Sequence, residues 1–338
     1  MKEISIIAPN IKNGGGRELL EYLLSYIEQE YPHLTVYVYL DSSLANIKTT
    51  KNRRVFLLSN SLGKVLFFGK QISNALYFGN LPPFRKADNT MVYIHNPYLV
   101  MTFAQLWGKS IHLFLKYSMQ KIYIKFFIEN VDIVACQTRV MGSAIKSIYK
   151  HNNISLLPFF QLCNNGKKTE NIKKYDFCYV SLAHQHKNHV LLFDALEMVA
   201  KKGLNLRFAV TIEKDRHDLL DQISRINAIG PVQITNMGVI LKEAVCKLYG
   251  DSKCLVFPSL EESFGLGLIE AVEMGLDIIA ADLRYVYEVV NPSLVFDPNN
   301  SQSCANAIER YLTMDQHDIS TSVIENKIND LVESFLRI

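Results

Sequence analysis

Two glutamates flank a glycine-containing turn in the second half of the chain, within residues 254–270. The apolar run 254–257 predicts a buried strand, and the apolar residues that follow Gly265 predict a helix. Glu262 precedes that helix, and Glu270 lies about one and a half turns into it. The free N–H groups of a first helical turn attract a diphosphate, because they form the positive end of the helix dipole. Carboxylates on both sides of such an anion site suit a ligand with sugar hydroxyls on both sides of a diphosphate.

Other residues with chemical potential also stand where predicted strands meet helices. Residues 13–16, Asn-Gly-Gly-Gly, form a flexible turn after the first strand, although any tight turn favours glycine. His95 follows a strand at the carboxyl end, where open α/β sheets bind ligands, although a lone histidine there is commonly structural. Residues 186–189, His-Lys-Asn-His, are either functional or a polar helix cap. Gly265 and Gly267 leave room for close approach of a ligand to the backbone.

The segment around the two glutamates resembles a known family. The glutamates form an E-x7-E pair, preceded by Phe257-Pro258-Ser259 and followed by Ala271-x3-Gly275. This string resembles the retaining glycosyltransferases of family 4, which have the two-domain GT-B fold, and the resemblance covers most of residues 172–300. It implies that Glu262 contacts the transferred sugar and that Glu270 contacts the nucleotide ribose. It also implies that the sugar and phosphates bind the backbone between them, at Ser263, Phe264, Gly265 and Leu266.

The same resemblance implies positions for two groups that face the phosphates. The glycine-rich loop that lies against the donor phosphates corresponds to Gly14, Gly15 and Gly16. Lys187 corresponds to the lysine that neutralises the departing diphosphate. The family often has an arginine a few residues before this lysine, whereas His184 or Gln185 stands near that place here. The second cationic contact expected from the family therefore has no counterpart in this segment.

Two further residue groups take their roles from the resemblance alone. His95 corresponds to a histidine that lies over the donor sugar and is treated as catalytic. The backbone around Gly238 and Val239 corresponds to the part of the site that borders the nucleobase. The N-terminal half matches the family only in its pattern and at two short motifs, as expected if that half binds the acceptor.

The resemblance also implies the reaction. We expect transfer of a hexose-type sugar from a nucleotide diphosphate, UDP- or GDP-linked, with retention of the anomeric configuration. No bound metal and no cofactor are expected, because the sequence has no DXD-type pair in a suitable loop. The charge on the leaving group would be stabilised by Lys187, the glycine-loop amides and the helix start after Ser263.

Strand and helix patterns alternate along both halves of the chain, which is typical of parallel sheets covered by helices. The sequence therefore predicts an α/β, GT-B fold with two doubly wound Rossmann-like domains facing each other across a cleft that holds the active site. The predicted divisions are an acceptor-binding domain over 1–165, a nucleotide-sugar domain over 166–320, and a C-terminal helical segment over 321–338 that packs back on the first domain. A polar stretch at 164–168 marks the linker. The predicted strands are 4–8, 35–40, 55–58, 91–94, 133–136, 177–182, 207–212, 232–235, 254–257, 278–281 and 294–296, and the main helices are 17–30, 189–202, 242–249 and 265–274.

The composition limits the class of protein. The chain has 338 residues, of which 49% are hydrophobic, enough to bury two cores and to exclude a disordered chain. Its six cysteines have wide spacings and no C-x-x-C pair, which predicts reduced, buried thiols in a cytosol. The N-terminal apolar run is too short for a signal peptide, and no stretch is long enough to span a membrane. A cytoplasmic protein, with peripheral attachment to the inner face of the plasma membrane, is expected.

The charge is divided unevenly between the two halves. Residues 1–160 contain 18 Lys and Arg against 9 Asp and Glu, whereas residues 161–338 contain 18 against 24. A basic half suggests an anionic partner. Residues 109–128 are rich in lysine and aromatic residues, and residues 64–70 place two phenylalanines between lysines, so an anionic membrane surface is one candidate partner. The alternative for 109–128 is a helix packed inside the domain.

These observations favour an enzyme that extends a lipid-linked or oligosaccharide acceptor in bacterial surface-polysaccharide (O-antigen or capsule) assembly. One alternative is another enzyme with the same fold, such as a sugar-nucleotide epimerase. A second is a non-catalytic protein that binds a nucleotide sugar. Nucleic-acid binding would rest on the basic half alone, without any recognition motif, so no nucleic acid is expected as a partner.

Overall fold

A computed structural model of the chain describes residues 3–12, 14–59, 61–108, 110–163, 173–314, 316 and 318–337. The chain divides into two compact units. Unit 1 consists of residues 1–161 together with 325–338, and unit 2 consists of residues 162–324. The predicted linker at 164–168 lies outside the described residues.

Unit 1 is built on a parallel sheet. Its described strands are β1 Glu3–Ala8, β2 Thr35–Asp41, β3 Arg53–Leu58, β4 Ala75–Tyr77, β5 Thr90–Ile94, β6 Ile133–Cys136 and β7 Ile154–Leu156. Its described helices are α1 Gly14–Glu30, α2 Ser61–Phe68, α3 Phe103–Trp107, α4 Ile111–Phe127 and α5 Arg139–Tyr149. The strand order is β3-β2-β1-β4-β5-β6-β7, and every pair in it is parallel. The central strands are apolar throughout because helices cover both faces of such a sheet.

Unit 2 repeats this plan. Its described strands are β8 Tyr175–Tyr179, β9 Leu206–Val210, β10 Val232–Asn236, β11 Ser252–Phe257, β12 Asp277–Ala281, β13 Val290–Asn291, β14 Leu294–Phe296 and β15 Thr321–Ser322. Its described helices are α6 His189–Lys201, α7 His217–Ile229, α8 Lys242–Gly250, α9 Leu266–Glu273, α10 Arg284–Tyr287 and α11 Ser301–Thr313. The main sheet has the order β10-β9-β8-β11-β12-β14, and β13 pairs antiparallel with β15.

The order of strands marks one place in each sheet where ligands bind. In a doubly wound sheet, the crevice lies beyond the carboxyl ends of the two neighbouring strands at which the connections reverse direction. These strands are β1 and β4 in unit 1, and β8 and β11 in unit 2. Gly14 to Gly16 follow β1, Lys187 lies in the connection after β8, and Glu262 lies in the connection after β11. Most of the predicted site residues therefore stand at these reversal points.

The predicted α/β class and its doubly wound organisation are confirmed, and every predicted strand exists. The structure adds four short strands that the sequence pattern missed, namely β4, β7 and the paired β13 and β15. Two predicted strands, 177–182 and 207–212, end at Tyr179 and Val210 instead. Their last residues leave the sheet because Thr211 Oγ1 accepts from Ser181 N at 2.9 Å and joins the two connections.

The C-terminal residues belong to unit 1. Helix α12, Ile328–Arg337, follows a segment in which Lys327 N donates to Pro158 O at 2.7 Å. Asn329 Oδ1 accepts from the hydroxyls of Tyr31 and Tyr26 at 2.8 Å and 3.3 Å. These contacts fix the end of the chain on the N-terminal unit.

The prediction of six reduced thiols is wrong for two of them. Cys163 and Cys246 form a disulfide, whereas the other four, Cys136, Cys178, Cys254 and Cys304, are buried free thiols. The two cysteines are 83 residues apart in sequence. Their sulfurs meet because Cys163, near the start of unit 2, lies against α8, which contains Cys246. No spacing rule in the sequence indicates such a pairing.

The two lysine-rich segments differ in their surroundings. Phe67 and Phe68 of the segment 64–70 are core residues, so this segment is not a membrane-facing surface. Lys64 forms an ion pair with Asp41. Helix α4 packs with one face on the core and leaves its other face exposed. Neither the interpretation as a membrane surface nor the interpretation as a helix packed inside the domain is therefore complete for 109–128. Among the described residues, no helix combines the length and the apolar character needed to cross a bilayer.

Candidate functional site

The connections after β8 and β11 in unit 2 are joined by backbone contacts. A 3-10 turn, Gln185–Lys187, follows β8, and Asn188 continues it in the left-handed conformation before α6 begins. Leu260 N, in the connection after β11, donates to His186 O at 2.7 Å. Tyr179 OH donates to Lys187 O at 2.8 Å. These hydrogen bonds therefore hold together the two connections that carry the predicted site residues.

This arrangement brings Lys187 and Glu262 together. The Lys187 ammonium forms an ion pair with Glu262 Oε1, and both side chains are largely shielded from solvent. The residues are 75 positions apart in sequence, and each was predicted separately to face the donor. A shielded ammonium next to a carboxylate can hold an anion and a hydroxyl side by side, because burial strengthens both interactions.

The glycine turn begins helix α9 directly beside this pair. Gly265 precedes the helix with φ of +78°, a left-handed conformation that other residues rarely adopt. No side chain caps the helix, and Leu268 N donates to Gly265 O at 2.9 Å, so the N–H groups of Leu266 and Gly267 are the ones that face a potential anion. Ser263 and Leu266 lie partly exposed on either side, whereas Phe264 is buried in the core.

Gly267 does not have the predicted role of letting a ligand approach the backbone. A Cβ atom at Gly267 would lie 3.3 Å from Tyr249 Oη and 3.4 Å from Phe257 Cε2. This glycine faces protein, and it lets α9 pack closely on α8 and β11. The packing holds the start of α9 in place.

The second glutamate also has a lysine partner, which the sequence did not indicate. Glu270 is buried, and its Oε1 forms an ion pair with the ammonium of Lys242, the first residue of α8. Lys242 stands 28 residues away in a segment that was predicted as an ordinary helix start. The site therefore contains two separate lysine–glutamate pairs, one before α9 and one within it.

The loop that precedes α8 carries the residues predicted to border a nucleobase. Gly238 has φ of +66°, and its N–H donates to Asn236 Oδ1 at 3.1 Å. The same oxygen accepts from Ile212 N at 2.8 Å, so Asn236 fixes the loop. Val239 is 69% exposed, which leaves an apolar surface next to the Lys242–Glu270 pair.

The missing family arginine has no equivalent at the expected place. Arg216, in the connection after β9, donates to Ala183 O and pairs with Asp218 at 3.0 Å. Its guanidinium therefore holds the loop that contains His184 rather than replacing the second cation. Among the described residues, no three His, Cys, Asp or Glu side chains are grouped so that they could hold a metal ion.

In unit 1, the structure brings the glycine turn and His95 together. A Cβ atom at Gly16 would lie 3.1 Å from His95 Nε2 and 3.3 Å from Ile11 Cδ1. Gly14 has φ of +67° and begins α1, and Gly15 is exposed beside it. The two predicted motifs of this unit therefore form one surface at the carboxyl ends of β1 and β5.

Asn80 positions His95, a role that no motif in the sequence indicates. Its Oδ1 accepts from His95 N at 2.8 Å and from Asn96 N at 3.1 Å, while its Nδ2 lies 3.4 Å from His95 Nε2. Asn80 itself has φ of +67°. The ring of Phe78 stacks on the imidazole at 5.1 Å. Burial lowers the pKa of His95 to about 4, so the imidazole is neutral near pH 7.

We expect Gly16→Val to displace His95, because its side chain would occupy the space of the imidazole. The cost in stability is expected to be about 1–3 kcal/mol, the usual range for overpacking. The change is measured as the loss of the native His95 imidazole signal in NMR spectra. Gly108→Val is the matched control, because a Cβ there meets only ordinary contacts at 3.6 Å and beyond. An unchanged His95 signal in Gly16→Val would contradict the contact.

The site residues of unit 2 lie within a segment that matches a known protein family. Residues 174–314 match the family model of glycosyl transferases group 1. The O-antigen chain mannosyltransferase RfbU of Salmonella typhimurium is 24% identical over 205 residues, which cover 56% of this chain and 55% of that protein. The chain thus matches about half the length of this relative.

Solved structures share the fold over nearly the whole chain. Sucrose-phosphate synthase from Thermosynechococcus elongatus superposes with a TM-score of 0.69 at 16% identity, covering 92% of this chain and 90% of that one. Anabaena HepE, solved in complex with UDP and glucose, gives a TM-score of 0.63 at 15% identity, with 93% and 90% covered. The chain has a GT-B fold, its second unit carries the segment matched by glycosyl transferases group 1, and it resembles the bacterial O-antigen glycosyltransferases.

Proposed function

We propose that this protein is a glycosyltransferase that moves a hexose from a nucleotide-diphosphate donor to a glycan acceptor in surface-polysaccharide synthesis. The observation that carries the proposal is the pair of ion-paired glutamates, Glu262 and Glu270, on either side of the uncapped start of α9. The resemblance to an O-antigen mannosyltransferase supports the class of reaction. The complex of HepE with UDP and glucose supports a nucleotide-sugar donor, and we propose a UDP- or GDP-linked sugar.

The two ion pairs suggest how a donor would be received. A diphosphate that reaches the start of α9 would attract the Lys187 ammonium away from Glu262. Glu262 would then accept a hydrogen bond from a hydroxyl of the transferred sugar. The positive charge of Lys187 and the N–H groups of α9 would stabilise the departing diphosphate electrostatically. We propose that no bound metal is needed, because these groups supply the positive charge. We also propose that transfer occurs with retention of the anomeric configuration.

The second pair is proposed to receive the nucleoside. Glu270 would accept from the ribose hydroxyls, and Lys242 would keep this buried carboxylate charged in the absence of donor. The exposed apolar surface at Val239, with the backbone at Gly238, would border the nucleobase. In unit 1, the surface formed by Gly14 to Gly16 and His95 would face substrate. We propose a lipid-linked or oligosaccharide acceptor and a peripheral location on the inner face of the membrane.

The proposal is tested with a panel of UDP-, GDP- and dTDP-linked sugars. A thermal shift with one donor is expected, because a ligand that binds only the folded state raises the melting temperature. The corresponding free nucleoside diphosphate should also stabilise the protein, whereas the free sugar should not. A correctly folded sample that shows no shift with any member of the panel would contradict the proposal.

Glu270→Gln is expected to weaken binding of the nucleotide by about 1.5–3 kcal/mol, the loss of hydrogen bonds to a charged acceptor. Isothermal titration calorimetry with the donor found by the panel measures the change. Glu273→Gln is the matched control, because Glu273 lies on the same helix and is exposed. Equal affinity of the two variants would show that Glu270 does not contact the nucleotide.

A further inference from the structure

Helix α4 carries a row of apolar side chains on its outward face. The row consists of Ile111, Leu115, Met119, Ile122 and Phe126, and each side chain is between 51% and 75% exposed. Their spacing places them within one sector of the helix over a length of about 22 Å. Soluble proteins rarely expose a continuous apolar strip of this size without using it for binding. We call these five residues the outer row.

Helix α3 adds aromatic side chains beside the outer row. Trp107 is 63% exposed, and its ring meets Phe114 of α4 edge-on at 5.0 Å. Phe103 is half exposed and also contacts Phe114, at 6.4 Å. The exposed indole therefore lies next to the N-terminal half of the outer row. Tryptophan is favoured where an apolar phase meets water, because its ring is amphipathic.

The opposite face of α4 is anchored in unit 1. Tyr117, Lys121 and Ile124 are buried there. The Lys121 ammonium donates to Met101 O, just before α3, and lies 5.2 Å from the centre of the Phe103 ring. The outer row therefore points outward because the core side of the helix is fixed, and no rearrangement is needed to expose it.

Lysines flank the outer row, and the acidic residue nearest to it in sequence, the exposed Glu129, lies three positions beyond Phe126. No acidic residue occurs between Asp88 and Glu129, a stretch that contains β5, α3 and α4. Lys116 and Lys125 are exposed, and a rotation of 100° per residue places them on opposite flanks of the outer row. An apolar strip bordered by lysines complements a surface with an anionic boundary and an apolar interior.

We propose that the outer row, Trp107 and the flanking lysines bind the surface of an anionic lipid bilayer, with α4 lying parallel to the membrane plane. A second copy of the chain fits this face less well. In a two-fold symmetric dimer, the same patch would meet itself and bring its lysines against the partner's lysines. This surface would provide the peripheral location proposed above, and because it lies on α4 and not at the donor site, it stands apart from the proposed transfer reaction.

Vesicle sedimentation tests the apolar part of the proposal. The full chain is expected to sediment with vesicles of phosphatidylcholine and phosphatidylglycerol, and far less with phosphatidylcholine alone. The double variant Met119→Ser/Phe126→Ser should lose most of this binding, and it should fold because both side chains are exposed. Ile319→Ser/Val323→Ser is the matched control, since it removes two exposed apolar side chains from unit 2. Equal sedimentation of the two double variants would overturn the proposal.

The same assay tests the charges. Lys116→Gln/Lys125→Gln is expected to lower the partition coefficient by about 30-fold, because each lysine near an anionic leaflet contributes about fivefold. Lys48→Gln/Lys51→Gln removes two exposed lysines elsewhere in unit 1 and should change binding little beyond the general loss of charge. If the native protein does not bind vesicles but forms a dimer, and Met119→Ser/Phe126→Ser dissociates that dimer, the proposal is overturned in favour of self-association. Donor binding should persist in all four variants, so failure here is distinct from failure of the transferase proposal.

Discussion

Lys187→Met is expected to lower kcat/KM for the nucleotide sugar by about 10²–10³-fold, the usual effect of removing one preorganised group that stabilises developing charge. Lys187 is the shielded cation next to Glu262 at the start of α9, where the leaving diphosphate would form. Without this ammonium group, the negative charge of Glu262 would repel the departing diphosphate. Steady-state kinetics of nucleotide release, with the donor found by the panel, measures the loss.

Two further variants separate this role from folding. Lys187→Arg keeps the positive charge and the partner of Glu262, so it should retain more activity than Lys187→Met. Lys214→Met removes an exposed lysine from the same unit and should leave kcat/KM unchanged. Similar kinetics in Lys187→Met and Lys214→Met, with equal melting temperatures, would refute the role of Lys187.

His189→Leu is expected to remove much of the acid sensitivity of unit 2. His189 is buried between the rings of Tyr179 and Phe193, and neither ring nitrogen has a hydrogen-bond partner among the described residues. Burial, helped by the nearby charge of Arg216, lowers its pKa to about 3. The unfolded chain binds a proton at this residue below about pH 6.5, whereas the folded chain does not, so the stability falls as the pH is lowered through this window.

The expected size of this effect is about 2 kcal/mol of unfolding free energy lost between pH 7 and pH 5. Amide hydrogen exchange in α6, expressed as protection factors at the two pH values, reports unit 2 separately from unit 1. Phe193→Leu is the control, because it alters the same cluster without removing a titratable group. An undiminished pH dependence in His189→Leu would show that this imidazole is not the acid-sensitive group. His95 makes a similar contribution in unit 1, because burial lowers its pKa to about 4.

The fold was largely predictable because each central strand is a continuous apolar run. The apolar segments 133–136 and 294–296 were placed at the bounds of β6 and β14. Strands β4 and β7 were missed, since three residues are too few to show a period, and the equally short β14 was placed only from its apolar run. Residues 154–156, Ile-Ser-Leu, join the sheet through pairing with β6, which no local pattern reveals.

The candidate site was predictable where a single segment carries it. Glu262, Gly265 and Glu270 lie within nine residues, so the pattern of the segment was enough to identify them. Lys242 and Asn80 were missed because their contacts are made across the fold, with partners 28 and 15 residues away. Each of them contacts a predicted site residue, and neither belongs to a recognisable sequence motif.

The Cys163–Cys246 disulfide shows the same limit. The prediction of buried, reduced thiols is correct for the four remaining cysteines. Which two sulfurs meet depends on how unit 2 folds, because 83 residues separate them. Only the three-dimensional structure reveals the pair.

We propose that Glu262 and the start of α9 receive the sugar of a nucleotide donor. The most direct test is the rate of nucleotide release from that donor by Glu262→Gln, compared with Glu261→Gln, its neighbour in the same loop. We expect the rate of release to fall by about 10²-fold in Glu262→Gln, the usual cost of losing a positioning contact at the reacting centre, and to stay close to the native rate in Glu261→Gln. Equal rates in the two variants would contradict the assignment of the donor site.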